Sequence, residues 1–114
     1  MKAFNHCKSS VKYFGGEEDD YLDIHRWFDE SKHHYGDIRH RALRHHTQGI
    51  AECEKLFGVY IYNSDGKKVI VKSIAEQHIR EDLGFIPTIQ DWFGKIKPEL
   101  WMASTKRNTK MNLM

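Results

Sequence analysis

The spacing of apolar residues changes at Gly58, and that change limits the folds open to this 114-residue chain. Up to Phe57 the apolar residues recur at steps of three, four and seven, the period of an amphipathic helix. After Gly58 come two short β-prone runs, Val59-Tyr60-Ile61-Tyr62 and Lys68-Val69-Ile70-Val71. They flank Asn63-Ser64-Asp65-Gly66, which reads as the turn of a β-hairpin. One hairpin cannot support itself, so it must lie against a helix. The pattern predicts a mostly α (α+β) fold, a compact helical domain with one long central helix and a single β-hairpin.

The helices can be bounded by their stop signals. A first helix covers Cys7 to Tyr13 and ends at Gly15-Gly16. A second begins at Asp19 or Asp20, whose carboxylates suit a helix N-terminus, and runs to Asp29 with Tyr21, Ile24 and Phe28 as its stripe. The long helix is predicted from Ser31 to Phe57, burying Tyr35, Ile38, Ala42, Gly49, Cys53 and Leu56. Gly36 and Gly49 each weaken it by about 1 kcal/mol and mark a kink or a close contact. A capping box, Ser73-Ile74-Ala75-Glu76, opens a helix that closes before Gly84. Thr88-Ile89-Gln90-Asp91 starts a last short one. Residues 1–102 then form one globular domain, and 103–114 a flexible basic tail.

Composition excludes several functions. The net charge of +2 is far from that of a dedicated nucleic-acid binder. No apolar run approaches the roughly 18 residues of a membrane span. Nor is there the apolar leader of an exported protein, so a cytoplasmic location is expected. Two cysteines, Cys7 and Cys53, are too few for a disulfide framework and are expected as free thiols. The chain lacks a glycine-rich phosphate loop and a G-x-S-x-G elbow. Its acidic stretch Glu17–Glu30 is followed by a basic one, Lys32–His46, and the two are expected to pack together.

The unusual count is eight histidines. His25 lies on the stripe of the second helix, with Asp29 one turn on. His46 follows Ala42 by four and falls on the buried face of the long helix, while His45 sits at the stripe's edge in line with His34 and Arg41. His78 stands beside Ala75 and Ile79, with Glu81 and Asp82 one turn away. Imidazoles and carboxylates converging from separate segments are what a divalent metal needs, at about 2 Å from the ion. His25, Asp29, His46 and His78 are therefore the candidate ligands for Zn, Mn or Fe, and Glu81 and Asp82 the candidate catalytic groups. Arg41 and His45 would contact a substrate phosphate. The same residues would serve equally as a hydrogen-bonded core network without metal. A further row, His33, Asp37 and His40, is expected on an exposed helix face.

Five runs occur in order: Tyr21-Leu-Asp-Ile-His-Arg-Trp-Phe-Asp-Glu-Ser-Lys32, Arg39-His-Arg-Ala-Leu-Arg-His-His46, Asn63-Ser-Asp-Gly66, Glu76-Gln-His-Ile-Arg-Glu-Asp-Leu-Gly84 and Ile86-Pro-Thr-Ile-Gln-Asp-Trp92. Together they resemble a family of small bacterial and bacteriophage proteins of unknown function, over about Asn5 to Met102. The resemblance implies a free-standing intracellular domain and brings no activity with it. A second likeness is to the HD-type metal phosphohydrolases. Here His45 before Gly49-Ile-Ala resembles their first histidine helix, and Glu81-Asp82-Leu83-Gly84 stands where they carry His-Asp-Ile/Leu-Gly, with Glu81 replacing the histidine. The function expected is that of a small intracellular histidine-rich metal-binding protein, whose catalytic form would be a metal-dependent hydrolase of phosphoesters or nucleotides with a phosphorylated small molecule as partner. The alternative is a non-catalytic phage or prophage effector that blocks a host protein or sequesters a small ligand. Neither membrane nor nucleic acid is an expected partner.

Overall fold

The computed structural model describes residues 1–103; the expected tail lies, from residue 104 on, outside the described residues. Helix α1 spans Ala3–Phe14 and α2 Asp19–Asp29, joined through Gly15 and Gly16. Two 3-10 turns follow, Glu30–His33 and Ile38–Leu43, before α3 at Thr47–Phe57. Strands β1 (Tyr60–Tyr62) and β2 (Lys68–Ile70) pair antiparallel with Ile61 opposite Val69. Helix α4 covers Val71–Leu83 and α5 Ile89–Phe93, and a last 3-10 turn lies at Leu100–Met102. The chain is mostly helical with a single hairpin. Among the described residues no helix is long and apolar enough to cross a membrane.

The single long helix expected over Ser31–Phe57 is not formed, and local hydrogen bonding explains why. Asp37 has extended backbone, and its carboxylate accepts the Arg39 N–H at 2.8 Å, which starts a new turn. His46 is also extended, and its Nδ1 accepts the Gly49 N–H at 3.0 Å as the cap of α3. These side chains compete with the helix for backbone donors, as short polar groups do at helix ends. The stripe breaks accordingly, leaving Tyr35 and Ile38 exposed while Gly49, Ile50 and Cys53 are buried. The close approach expected at Gly49 is present, since a Cβ there would collide with the Arg44 carbonyl. His33, Asp37 and His40 do not share an exposed face; His40 is buried, its Nδ1 2.6 Å from the Asp37 carbonyl. Of the pairing expected between the acidic and basic segments, Arg44 lies 3.6 Å from Glu30 and stacks on Trp27.

The other boundaries move for similar reasons. α1 starts at Ala3 and not at Cys7, which brings His6 into the helix. α4 opens at Val71 with Ile70 as its N-cap, so Ser73 lies inside the helix and the expected Ser73–Glu76 capping box is not formed; the Val71 N–H is taken instead by the Val59 carbonyl at 3.0 Å. The short helix expected from Thr88-Ile89-Gln90-Asp91 forms, with Thr88 and Asp91 as a reciprocal capping box.

The hairpin packs on α3 and α4, and its turn is fastened to the α1–α2 junction. Buried Asn63 accepts the N–H groups of Asp65 and Lys67 through Oδ1, and its Nδ2 donates to the Phe14 carbonyl and the Tyr21 hydroxyl. Asp20 accepts from the Ser64 N–H and hydroxyl at 2.9 and 2.7 Å. Gly16 has φ +73°, and a Cβ there would meet Asp20 and Asn63, so this crossing needs glycine.

The apolar core is Tyr21, Ile24 and Phe28 of α2 against Ile50 and Cys53 of α3 and Val71, Ile74, Ala75 and Ile79 of α4, with Cys7 and Val69. Beside it lies a polar layer. Six of the eight histidines are buried, with Ser10 and Gln77 among them. Buried polar groups are costly unless paired, so the partners of that layer decide what it does.

Candidate metal centre

Helical spacing supplies most of the polar layer. His6 and Ser10 are one turn apart on α1, His25 and Asp29 on α2, and His78 and Asp82 on α4. His45 comes from the loop before α3. Its carbonyl accepts the Trp92 indole N–H at 2.8 Å, which ties α5 to the site. The His78 ring stacks on Phe28 at 4.8 Å and lies 3.9 Å from the His6 ring, so its plane is held between the two.

Asp82 is the hub. It is 1% exposed, and its oxygens meet imidazoles from three segments: His45 Nε2 at 2.8 Å, His6 Nε2 at 3.1 Å and His78 Nε2 at 3.3 Å. Arg41 stands 3.8 Å away, and the Met1 amino nitrogen 3.2 Å. Burial alone would raise the Asp82 pKa, but the hydrogen bonds from His45 and His6 and the nearby His78 imidazole hold it far below the usual carboxylate range. Asp29, on α2, reaches the same centre with Oδ1 3.4 Å from His78 Nε2. Burial opposes its ionisation too, yet contact with His78 keeps its pKa low.

Among the described residues, two sets of side chains bring ligand atoms within 4.8 Å of one another: His6, His25 and His78, and Asp29, His45, His78 and Asp82. They differ in what their atoms already do. In the first, His25 uses both nitrogens, Nδ1 at 2.9 Å from His78 Nδ1 and Nε2 at 2.7 Å from the Ser10 hydroxyl. His6 does likewise, with Nδ1 2.8 Å from Glu81 and Nε2 on Asp82. In the second, His78 Nε2 and Asp29 Oδ2 are buried without a hydrogen-bond partner, as is His45 Nδ1. His78 Nε2 thus faces two carboxylates at ion-pair distance without bonding geometry to either.

Spacing separates the sets further. Donors about 2.0–2.1 Å from a tetrahedral ion lie about 3.3–3.4 Å from one another. The His78–Asp82 and His78–Asp29 distances are 3.3 and 3.4 Å, whereas His45 Nε2 and Asp82 Oδ2, hydrogen-bonded at 2.8 Å, would have to move apart to that spacing around an ion. A calcium ion, with bonds of about 2.3–2.6 Å, would need a wider cage and more oxygens.

The electrostatics of the imidazoles differ sharply. Burial, and then the neighbouring His78 and His6, push His25 down to about 2, so it is neutral. Burial takes His45 down to about 4, against the pull of Asp82. Burial acts against charge on His78 as well, but Asp29 and Asp82 outweigh it and raise its pKa. Cys7 and Cys53 are fully buried, and burial pushes their thiols up to about 11 and about 12. Thiols held neutral in this way are poor nucleophiles and poor ligands.

The candidates from the sequence are thus largely brought together. His25, Asp29, His45, His78, Glu81, Asp82 and Arg41 all border the layer, but His25 bonds His78, and Glu81 is held by His6 and by Gln77 Nε2 at 2.9 Å. His46 belongs to neither ligand set and caps α3. His6, Ser10 and Gln77 were not among the candidates. The signal for His6 and Ser10 was their i, i+4 spacing, hidden when the helix is started at Cys7.

No curated protein and no solved structure was found to match the chain. The match found is to a family model described as a domain of unknown function (DUF6915), over residues 1–102, and the chain belongs to that family.

Proposed function

We propose that this protein binds one divalent cation through Asp29, His45, His78 and Asp82. The observation that carries the reading is His78 Nε2, buried without a hydrogen bond and set 3.3–3.4 Å from two carboxylates, the edge length of a tetrahedral site. Two carboxylates and two neutral imidazoles would balance a divalent charge. This N₂O₂ donor set suits Zn, Mn or Fe.

The centre is enclosed, which favours a cation that holds structure together. Asp29 comes from α2, His45 from the loop before α3, and His78 and Asp82 from α4, so one ion would join three segments. Phosphoester or nucleotide hydrolysis is the catalytic form of the same reading. It requires an open coordination position for water. Asp29 is the ligand able to vacate one, because its side chain is 13% exposed while those of the other three are at most 1% exposed. It borders a surface cleft of about 300 Å³ lined by Arg26, Glu30 and His33. Arg41, a fifth exposed and with its Nε unpartnered, would then meet the substrate phosphate.

The test is elemental analysis of untagged protein purified without an immobilised-metal column. One Zn, Mn or Fe per chain in the wild type is expected, with loss of the ion in Asp82→Asn and His78→Ala. A folded wild type that takes up no ion under zinc, manganese or iron(II) titration would refute the reading. Turnover of phosphoesters by the loaded protein, lost in Arg41→Ala, would establish the catalytic form.

A further inference from the structure

The chemistry of His78 is set by residues that do not touch the ion, and hydrogen-bond logic identifies them. Gln77 Nε2 lies 2.9 Å from the His6 carbonyl and 2.9 Å from Glu81 Oε1. A peptide carbonyl only accepts, so the amide nitrogen must face it, and Gln77 Oε1 is turned to Ser10 at 2.6 Å. That oxygen also only accepts, as does the His6 carbonyl 3.1 Å from the same hydroxyl, so the single hydrogen of Ser10 is directed to these acceptors, Gln77 being the nearer, and not to His25. The Ser10 oxygen is then an acceptor toward His25 Nε2, 2.7 Å away, and His25 carries its proton on Nε2. His25 is fully buried with Ser10 and His78 on its two nitrogens and no carboxylate bonded to either, so it carries this one proton and its Nδ1 is a lone pair. It follows that His78 donates from Nδ1 to His25 across 2.9 Å.

We propose that Gln77, Ser10 and His25 are a line of positioning residues that lock His78 in the form protonated at Nδ1, which presents Nε2 to the cation. The line begins at a backbone carbonyl of α1, crosses to α4, returns to α1, passes through α2 and ends at the proposed ligand. Its direction is fixed at the first step by an atom that cannot donate. Partners of this kind fix the tautomer and orientation of a metal-bound imidazole and raise its basicity. The stacking of His78 between His6 and Phe28 holds the ring plane. The line chooses which nitrogen faces which way.

The purpose of this line rests on the metal reading, but its direction can be measured without metal. In ¹⁵N-histidine-labelled, metal-free protein, the expected result is His25 protonated at Nε2 and bare at Nδ1. The His78 Nδ1–H should show a scalar coupling across the N–H···N bond to His25 Nδ1. A His25 protonated at Nδ1, or His78 bare at Nδ1, would overturn the proposal. In zinc titrations, Ser10→Ala and His25→Phe are expected to bind about 10–100-fold more weakly than wild type, and Ser10→Thr, which keeps the hydroxyl, to bind like wild type. Ser10→Ala serves if His25→Phe does not fold. Unchanged affinity in a folded Ser10→Ala with altered His25 tautomer would overturn the positioning role. A wild type with the assigned tautomers and no zinc uptake would instead sink the metal reading, and the purpose of the line with it.

Discussion

His46 and His45 are neighbours with opposite duties. The backbone of His46 is extended and its ring turns onto the Gly49 N–H, whereas His45 points at Asp82. Replacing His46 by Ala is expected to cost about 1 kcal/mol, the usual loss for a missing cap, and to leave cation stoichiometry unchanged. Chemical denaturation with metal analysis of the same sample checks both. A loss of the ion in a folded His46→Ala protein would return His46 to the ligand set. The sequence could not make this distinction, because helical spacing assumes that the helix continues through the residue being placed. His25, Asp29, His78 and Asp82 were legible because α2 and α4 are regular across them. His6 was not, because one turn of α1 was missing from the predicted helix. Gln77 has no signal of its own; its importance comes from the two acceptors that orient its amide.

Among the elements, the hairpin is the least self-sufficient. Its strands are three residues each, and Val69 is its only buried strand residue. What secures it is Asn63, which bonds the turn to itself and to both α1 and α2. Asn63→Ala leaves two N–H groups of the turn and a carbonyl of α1 without partners, and a loss of about 2 kcal/mol is expected. A urea midpoint within error of wild type would show that water replaces those bonds. The turn itself was readable from Asn-Ser-Asp-Gly, but its docking was not. Local propensity identifies a turn, whereas long-range contacts of a side chain depend on where the rest of the chain goes. The broken region 31–46 shows the same limit from the other side. Apolar spacing favoured a helix there, and competition from Asp37 and His46 for backbone N–H groups decided otherwise.

Across the whole molecule, the buried histidines make stability depend on pH. His25 and His45 are held at about 2 and about 4 by burial first, so in the folded state they refuse protons that the unfolded chain takes up near 6.5. Their contribution is present above about 6.5 and is lost as the pH falls toward 4. His78 acts in the opposite sense. Its raised pKa gives stability below its ordinary value, which is lost as the pH rises through the raised one. Asp29 and Asp82, both lowered, begin to destabilise only as the pH falls below the ordinary carboxylate range. His46 is lowered by burial too, so between pH 7 and 5 three histidines oppose one, and the thermal midpoint of the metal-free protein is expected to fall across that interval. A midpoint that rises on acidification would mean that His78 outweighs the other three.

The placement of Asp29 also governs time. It is the sole proposed ligand with an edge at the surface, and it sits in the last turn of α2, where the chain passes into a 3-10 turn. An ion bound there would leave only when that end of the helix lifted, so its release would be set by the rate of a local opening and not by the strength or supply of a competitor. Challenged with excess chelator, the loaded protein should lose its ion in a single first-order phase whose rate is unchanged when the chelator is doubled. Asp29→Ala, with the door removed, should release it faster and in proportion to chelator. The same gate would make the ion a record of the cell in which the chain folded, captured during folding and thereafter exchanged slowly.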